Sequence, residues 1–123
     1  METIRKELIL CKSFRGTSPK GTAFAGRPEG QQVRNELNID RLDTDGDLYI
    51  IKLPSDTTSF NPSFYLGLFF DSIKRLKWNK FKDKYQFDYS VFRPALAEVI
   101  SQNIAECERK AKNELNKKTG LDV

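Results

Sequence analysis

The sequence predicts an α/β fold, a small mixed or mostly parallel sheet with packed helices in the order β-α-β-α-β-α. Three observations predict it. Leu8-Ile9-Leu10-Cys11, Leu48-Tyr49-Ile50-Ile51-Lys52-Leu53 and Tyr85-Gln86-Phe87-Asp88-Tyr89 have strand composition. A stretch with helical spacing of apolar residues follows each of them. Pro28, Pro62 and Pro94 stand where the first turn of a helix tolerates a missing N–H. Strands alternating with helices imply a sheet joined by right-handed crossovers.

A chain of 123 residues suits one domain spanning 1–123 and burying roughly two-thirds of its unfolded surface. With 38% hydrophobic and 31% charged residues it can bury a core and solvate its exterior, unlike a disordered chain. No apolar run approaches the roughly 20 residues of a membrane span, and Met1-Glu2-Thr3-Ile4-Arg5 opens no signal-peptide core. The expectation is a cytoplasmic protein that does not engage a membrane. Lys and Arg outnumber Asp and Glu by 21 to 17, a formal charge of +4, which mildly favours anionic partners.

The chain contains no histidine, which excludes Ser-His-Asp and Cys-His nucleophile systems and argues against an ordinary zinc site. Cys11 and Cys107 lie far apart in hydrophobic contexts, with neither CxxC spacing nor a histidine partner, and read as reduced core thiols. No pair of Asp, Glu, Lys or Tyr is singled out by spacing for acid–base work. The expectation is a protein that is not an enzyme and carries no cofactor.

The first strand is expected within Ile4 to Lys12, buried on both faces. Residues 13–26 read as a mobile loop, with short extended pieces around Thr22 to Ala25. Its glycines match neither GxGxxG nor the P-loop pattern. A helix from Pro28 to about Leu37 should turn Val33 and Leu37 inward and leave Gln31, Gln32, Arg34, Asn35 and Glu36 in water. Asn38 to Asp47 carries spaced acids but no glutamate to close an EF-hand loop, and Asp45-Gly46 reads as a turn. Leu48 to Leu53 should be a central strand, ended by Pro54.

Residues 54–61 form a hydroxyl-rich loop leading to Asn61-Pro62, a helix start with asparagine as the capping acceptor. Phe64, Tyr65, Leu66, Leu68, Phe69, Phe70, Ile73 and Leu76 wrap much of the cylinder, so this helix should be largely buried. Gly67 costs about 1 kcal/mol relative to alanine inside it, and a close approach to the sheet would compensate. The basic-aromatic run 74–85 admits two readings. Lys74, Arg75, Lys77, Trp78, Lys80, Lys82 and Lys84 can contact nucleic acid. Alternatively the cations end a helix and enter a solvated loop, with Trp78 and Phe81 turned inward. Tyr85 to Tyr89 should lie toward a sheet edge. A long helix follows to about Asn116, burying Phe92, Leu96, Val99, Ile100, Asn103, Cys107, Ala111 and Leu115 along one face, with a frayed tail at about 117–123.

Three landmarks carry a resemblance. They are Phe24-Ala25-Gly26-Arg27-Pro28-Glu29-Gly30 with the amphipathic residues to Leu37, the strand Leu48 to Leu53, and Thr58-Ser59-Phe60-Asn61-Pro62-Ser63-Phe64-Tyr65-Leu66-Gly67-Leu68-Phe69. Together they resemble the STAS-like domains of unknown function found in bacteria and mobile elements, related in fold to anti-sigma-factor antagonists. The resemblance spans about residues 4 to 108. It implies a STAS-like domain, a protein partner such as a histidine-kinase-like ATPase or regulator, and phosphorylation at Ser63, the closest match to the modified serine of the antagonists. Pro54 and several hydroxyls stand where that family usually has an acidic residue and a hydrophobic loop.

The function expected is therefore a non-enzymatic protein-interaction and regulatory module, docking a partner through the loop and helix start at about 54–66. Ser59, Asn61, Ser63, Tyr65 and Arg27 are the partner-binding residues. The alternative is a nucleic-acid-binding protein using the segment 74–85. The residues leave the oligomeric state open.

Overall fold

In the computed structural model, which describes residues 5–10 and 23–119, three strands form a parallel sheet. They are β1 (Arg5–Ile9), β3 (Leu48–Lys52) and β5 (Tyr85–Asp88), with β3 in the middle. Glu7, Ile50 and Gln86 lie in one row across it, and Ile9, Lys52 and Asp88 in another. A second parallel pair joins β2 (Ala23–Phe24) to β4 (Ser59–Phe60). The helices are α1 (Arg27–Glu36), α2 (Ile39–Leu42), α3 (Pro62–Leu76), α4 (Trp78–Lys84) and α5 (Pro94–Thr119). This is an α/β fold with packed helices and entirely parallel pairing among the described residues. Residues 13–22 of the loop expected over 13–26, Cys11, and residues 120–123 of the tail expected at about 117–123 lie outside the described residues.

The core forms on one side of the sheet. Leu8, Tyr49, Ile51 and Tyr85 are buried there, while Glu7, Ile9 and Gln86 on the other side are exposed. The expectation that the first strand is buried on both faces is therefore corrected. Leu8 and Leu10 are buried and the intervening Ile9 is 57% exposed, because the described helices pack on one face only and strand side chains alternate.

Helix α3 is the hub. It buries Phe64, Tyr65, Leu68, Phe69, Phe70 and Ile73, and its aromatic rings meet the sheet at Phe69–Tyr85 and Tyr65–Phe87, with centroids 5.4 and 6.3 Å apart. Gly67 has a different partner from the one expected. A Cβ there would strike the backbone of Arg27 and Gln31, and one at Gly30 would strike that of Phe64 and Leu68. The close approach is thus between α1 and α3. Gly26 to Ser63 and Gly30 to Gly67 keep the same offset of 37 residues, so the two helices run side by side in the same direction, as do the strands that lead into them.

Three further expectations are revised. Arg34 is buried rather than solvated, because the far half of the α1–α3 interface holds polar partners for it. Residues 78–84 form α4 rather than a loop. Lys77, at φ 71, ends α3 and begins the new helix, and Phe81 anchors it with its ring 5.2 Å from that of Phe69. Along α5, Ile100, Cys107 and Ala111 are buried as expected, but Val99 is 45% exposed and Ile104 is buried instead.

Candidate functional site

The loop between β3 and β4 leaves the carboxyl end of the central strand, the region outside which open α/β sheets commonly bind ligands. Ser59 is half-buried in β4, and Asn61 and Ser63 are exposed. The Asn61 N–H donates to Phe24 O at 2.8 Å, fixing the start of α3 against β2. Asn61 is extended (φ −85, ψ 147) and its side chain makes no capping hydrogen bond. The start of α3 rests on proline geometry and backbone pairing rather than on the expected side-chain cap.

Ser63 joins the starts of two helices, since its Oγ accepts the Gly26 N–H at 3.1 Å. Gly26 precedes α1 at φ 96, a conformation that favours glycine. The positive ends of the α1 and α3 dipoles consequently lie together beside an exposed hydroxyl. Arg27, next in sequence, is committed elsewhere: Nη1 contacts Glu114 Oε1 at 3.1 Å and its guanidinium lies 5.6 Å from the Phe70 ring centre.

Tyr65 does not belong to this surface. It is fully buried, in ring contact with Phe60, Phe69 and Phe87. Its hydroxyl has no hydrogen-bond partner among the described residues, and burial pushes its pKa well above the ordinary phenol value. The expected partner-binding set thus reduces at the surface to Ser59, Asn61 and Ser63, with Arg27 beside them.

The ends of all three strands lie at this end of the sheet. Lys52 Nζ contacts Asp88 Oδ2 at 2.5 Å. This ion pair, with the N–H and hydroxyl of Ser90, holds the Asp88 carboxyl down at about 2. Of the three exposed large apolar side chains among the described residues, Ile9 and Val91 flank this end of the sheet; the third, Val99, lies on α5.

The cations of the basic tract have different partners. Lys74 pairs with Asp71, Arg75 with Asp40 and Asp43, and Lys82 with Glu108. Lys84 is buried, contacting Asp45 Oδ1 at 2.9 Å and Asp47 O at 2.6 Å. Lys77 and Lys80 are exposed and Trp78 is half-buried. A helical α4 sends these side chains in different directions, so contiguity in sequence does not survive as contiguity in space.

The sequence also conceals a polar network at the amino end of the sheet. Asp43 is fully buried and accepts from Tyr85 Oη at 2.8 Å, Ser72 Oγ at 2.8 Å, Arg34 Nη2 at 3.2 Å and Arg75 Nη1 at 3.1 Å. Arg34 also donates to Leu68 O and Asp40. Burial first, and then the bond to Asp43, push the Tyr85 hydroxyl far above its ordinary pKa. Beside it Tyr49 donates to Asp45. Burial raises the Asp45 pKa, but hydrogen bonds from Tyr49, Lys84 and the Asp47 N–H outweigh it and leave the carboxyl lowered. The acids that suggested calcium are answered by arginine, lysine and tyrosine, and no group of three or more metal-ligating side chains occurs among the described residues. The acid spacing was visible in sequence; the inward turn of Arg34 was not.

Cys107 is a buried reduced thiol whose Sγ donates to Phe60 O at 3.4 Å, and burial pushes its pKa up to about 12. That excludes a reactive thiolate at neutral pH. No helix among the described residues is long and apolar enough to cross a membrane. Compared with protein-family models, with curated proteins and with solved structures, the chain shows no match to any.

Proposed function

We propose that this chain is a non-enzymatic protein-interaction and regulatory module, acting in the cytoplasm and docking a protein partner at the carboxyl end of its sheet. The observation that carries the reading is the exposure of Asn61 and Ser63 where α3 begins, outside the carboxyl end of the central strand, with Ser63 beside the starts of two helices. Exposed Ile9 and Val91 stand at the carboxyl ends of the two edge strands, and add apolar surface at that end of the sheet. The resemblance to STAS-like domains points to an ATPase of histidine-kinase type, or a related regulator, as the partner. A phosphate on Ser63 would meet the positive ends of two helices and would add negative charge at the docking surface.

Affinity capture of the partner with wild-type chain, followed by intact-mass measurement of both proteins, tests the reading. The double variant Asn61→Ala/Ser63→Ala is expected to lose at least tenfold in affinity for the captured partner while keeping its melting temperature. Tyr65→Phe, altering only a buried hydroxyl, is expected to bind as wild type. Equal binding by the double variant would remove the docking site from 54–66.

A further inference from the structure

Helices α4 and α5 enclose a groove of about 440 Å³, toward the small end of the roughly 300–1,000 Å³ typical of ligand pockets. Trp78 lines one side, and Lys82, Glu108, Arg109, Lys112 and Asn113 are among the other lining residues. Three cations thus face one carboxylate, and that carboxylate, Glu108, is already engaged by Lys82. Among the described residues Arg109 pairs with Glu106 on its own helix, an exposed pair of little strength that another anion can replace. Lys112 has no ion pair among the described residues, and its ammonium lies 5.5 Å from the centre of the Trp78 ring. Lys82 lies 5.9 Å from the same ring.

We propose that this groove binds single-stranded nucleic acid, with a base stacked on Trp78 and the adjoining phosphates held by Lys112 and Arg109. Stacking on an indole is available to any unpaired base, and cations beside the ring track the backbone that carries it. The long side chain of Lys112 yields the ring face to a base and takes up the phosphate in exchange. Asn113 offers donor and acceptor groups to a base edge. A duplex withholds its bases from the indole, and an acidic peptide has charge but no ring to stack. This inference is independent of the docking corner. It also replaces the linear tract 74–85 as the basic surface, joining Trp78 and Lys82 to residues of α5 some 30 positions later.

Trp78 is the single tryptophan of the chain, so its fluorescence reports on the groove alone. Titration of the full chain at low salt with a twelve-nucleotide thymidine oligomer is expected to quench it, whereas a blunt duplex and a polyglutamate peptide leave it unchanged. Binding should weaken as salt rises. Lys112→Glu and Arg109→Glu should each weaken it about tenfold and lower the salt slope by about 0.7 for every phosphate no longer neutralised. Followed with a labelled oligomer, Trp78→Ala should lose about 5- to 150-fold in affinity. Circular dichroism of each variant, with the two surface charge reversals as fold-preserving controls, separates a binding defect from a folding defect. Absence of quenching at low salt, equal quenching by polyglutamate, or unchanged affinity in Lys112→Glu would each overturn the proposal.

Discussion

The two ends of the sheet use polar residues in opposite ways. At the carboxyl end, Asn61 and Ser63 are exposed, the Asn61 side chain makes no capping bond, and apolar Ile9 and Val91 remain in water. At the amino end, Asp43, Ser72 and Arg34 are buried and each is paired more than once. Helices α1 and α3 connect these ends. Running in the same direction, they bring their positive ends together beside Ser63 and their negative ends toward Arg34 and Arg75, each in a last turn. Facing glycines hold them closely in between. One end is closed by internal hydrogen bonds, and the other leaves polar and apolar side chains in water.

The largest effect expected from breaking this contrast is at Arg34. Arg34→Met leaves the fully buried Asp43 with less positive charge, and removing one partner of a buried ion pair costs about 3–5 kcal/mol. A urea midpoint lowered so that the shift times an unchanged slope equals that free energy is the expected result; a loss below about 1 kcal/mol would show that Arg75 alone suffices. Next comes the glycine pair. Gly67→Ala gains about 1 kcal/mol of helix propensity but drives a methyl into the backbone of Arg27 and Gln31, where overpacking costs about 1–3 kcal/mol. Backbone cannot turn aside as a side chain can, so net destabilisation is expected in thermal melts.

The smallest effect lies at the carboxyl end and depends on pH. The folded Asp88 carboxyl titrates at about 2 against an ordinary 3.8. A depressed carboxylate contributes stability that is complete above the unfolded value and is lost as pH falls toward the folded one. Asp88→Asn should therefore flatten the melting-temperature curve between about pH 4 and pH 2 and lose part of the neutral-pH stability. Parallel curves for the two proteins across that interval would show that the Lys52–Asp88 pair is not a source of stability.

Much of the fold was legible because local composition and burial agree. Leu48 to Leu53 could only be a buried strand, and Asn61-Pro62 could only begin the apolar helix that follows. The site was less legible. Tyr65 belongs to a polar-looking junction in sequence but sits one turn into α3, where the helix phase directs it inward. Arg34 looks solvated on a helical wheel because a wheel counts hydrophobic residues, whereas its burial depends on Asp43 and Ser72, 9 and 38 positions away. The lysines of 74–85 are contiguous in sequence, but Lys82 meets Glu108 and Lys84 meets Asp45 and Asp47, because sequence contiguity does not show how a helical turn distributes side chains.

By itself, the amino-acid sequence determined the strand and helix periods, the alternation of strands with helices, the absence of histidine chemistry and the burial of α3, all of which follow from residue type and spacing along a short stretch. Only the tertiary structure decided that one face of the sheet stays open among the described residues, that Gly67 meets α1, and that Arg34 neutralises a buried aspartate. It also decided that Trp78 faces the cations of α5. These are meetings of distant segments, and their identity depends on which surfaces the packed helices bring within reach rather than on any local preference of the chain.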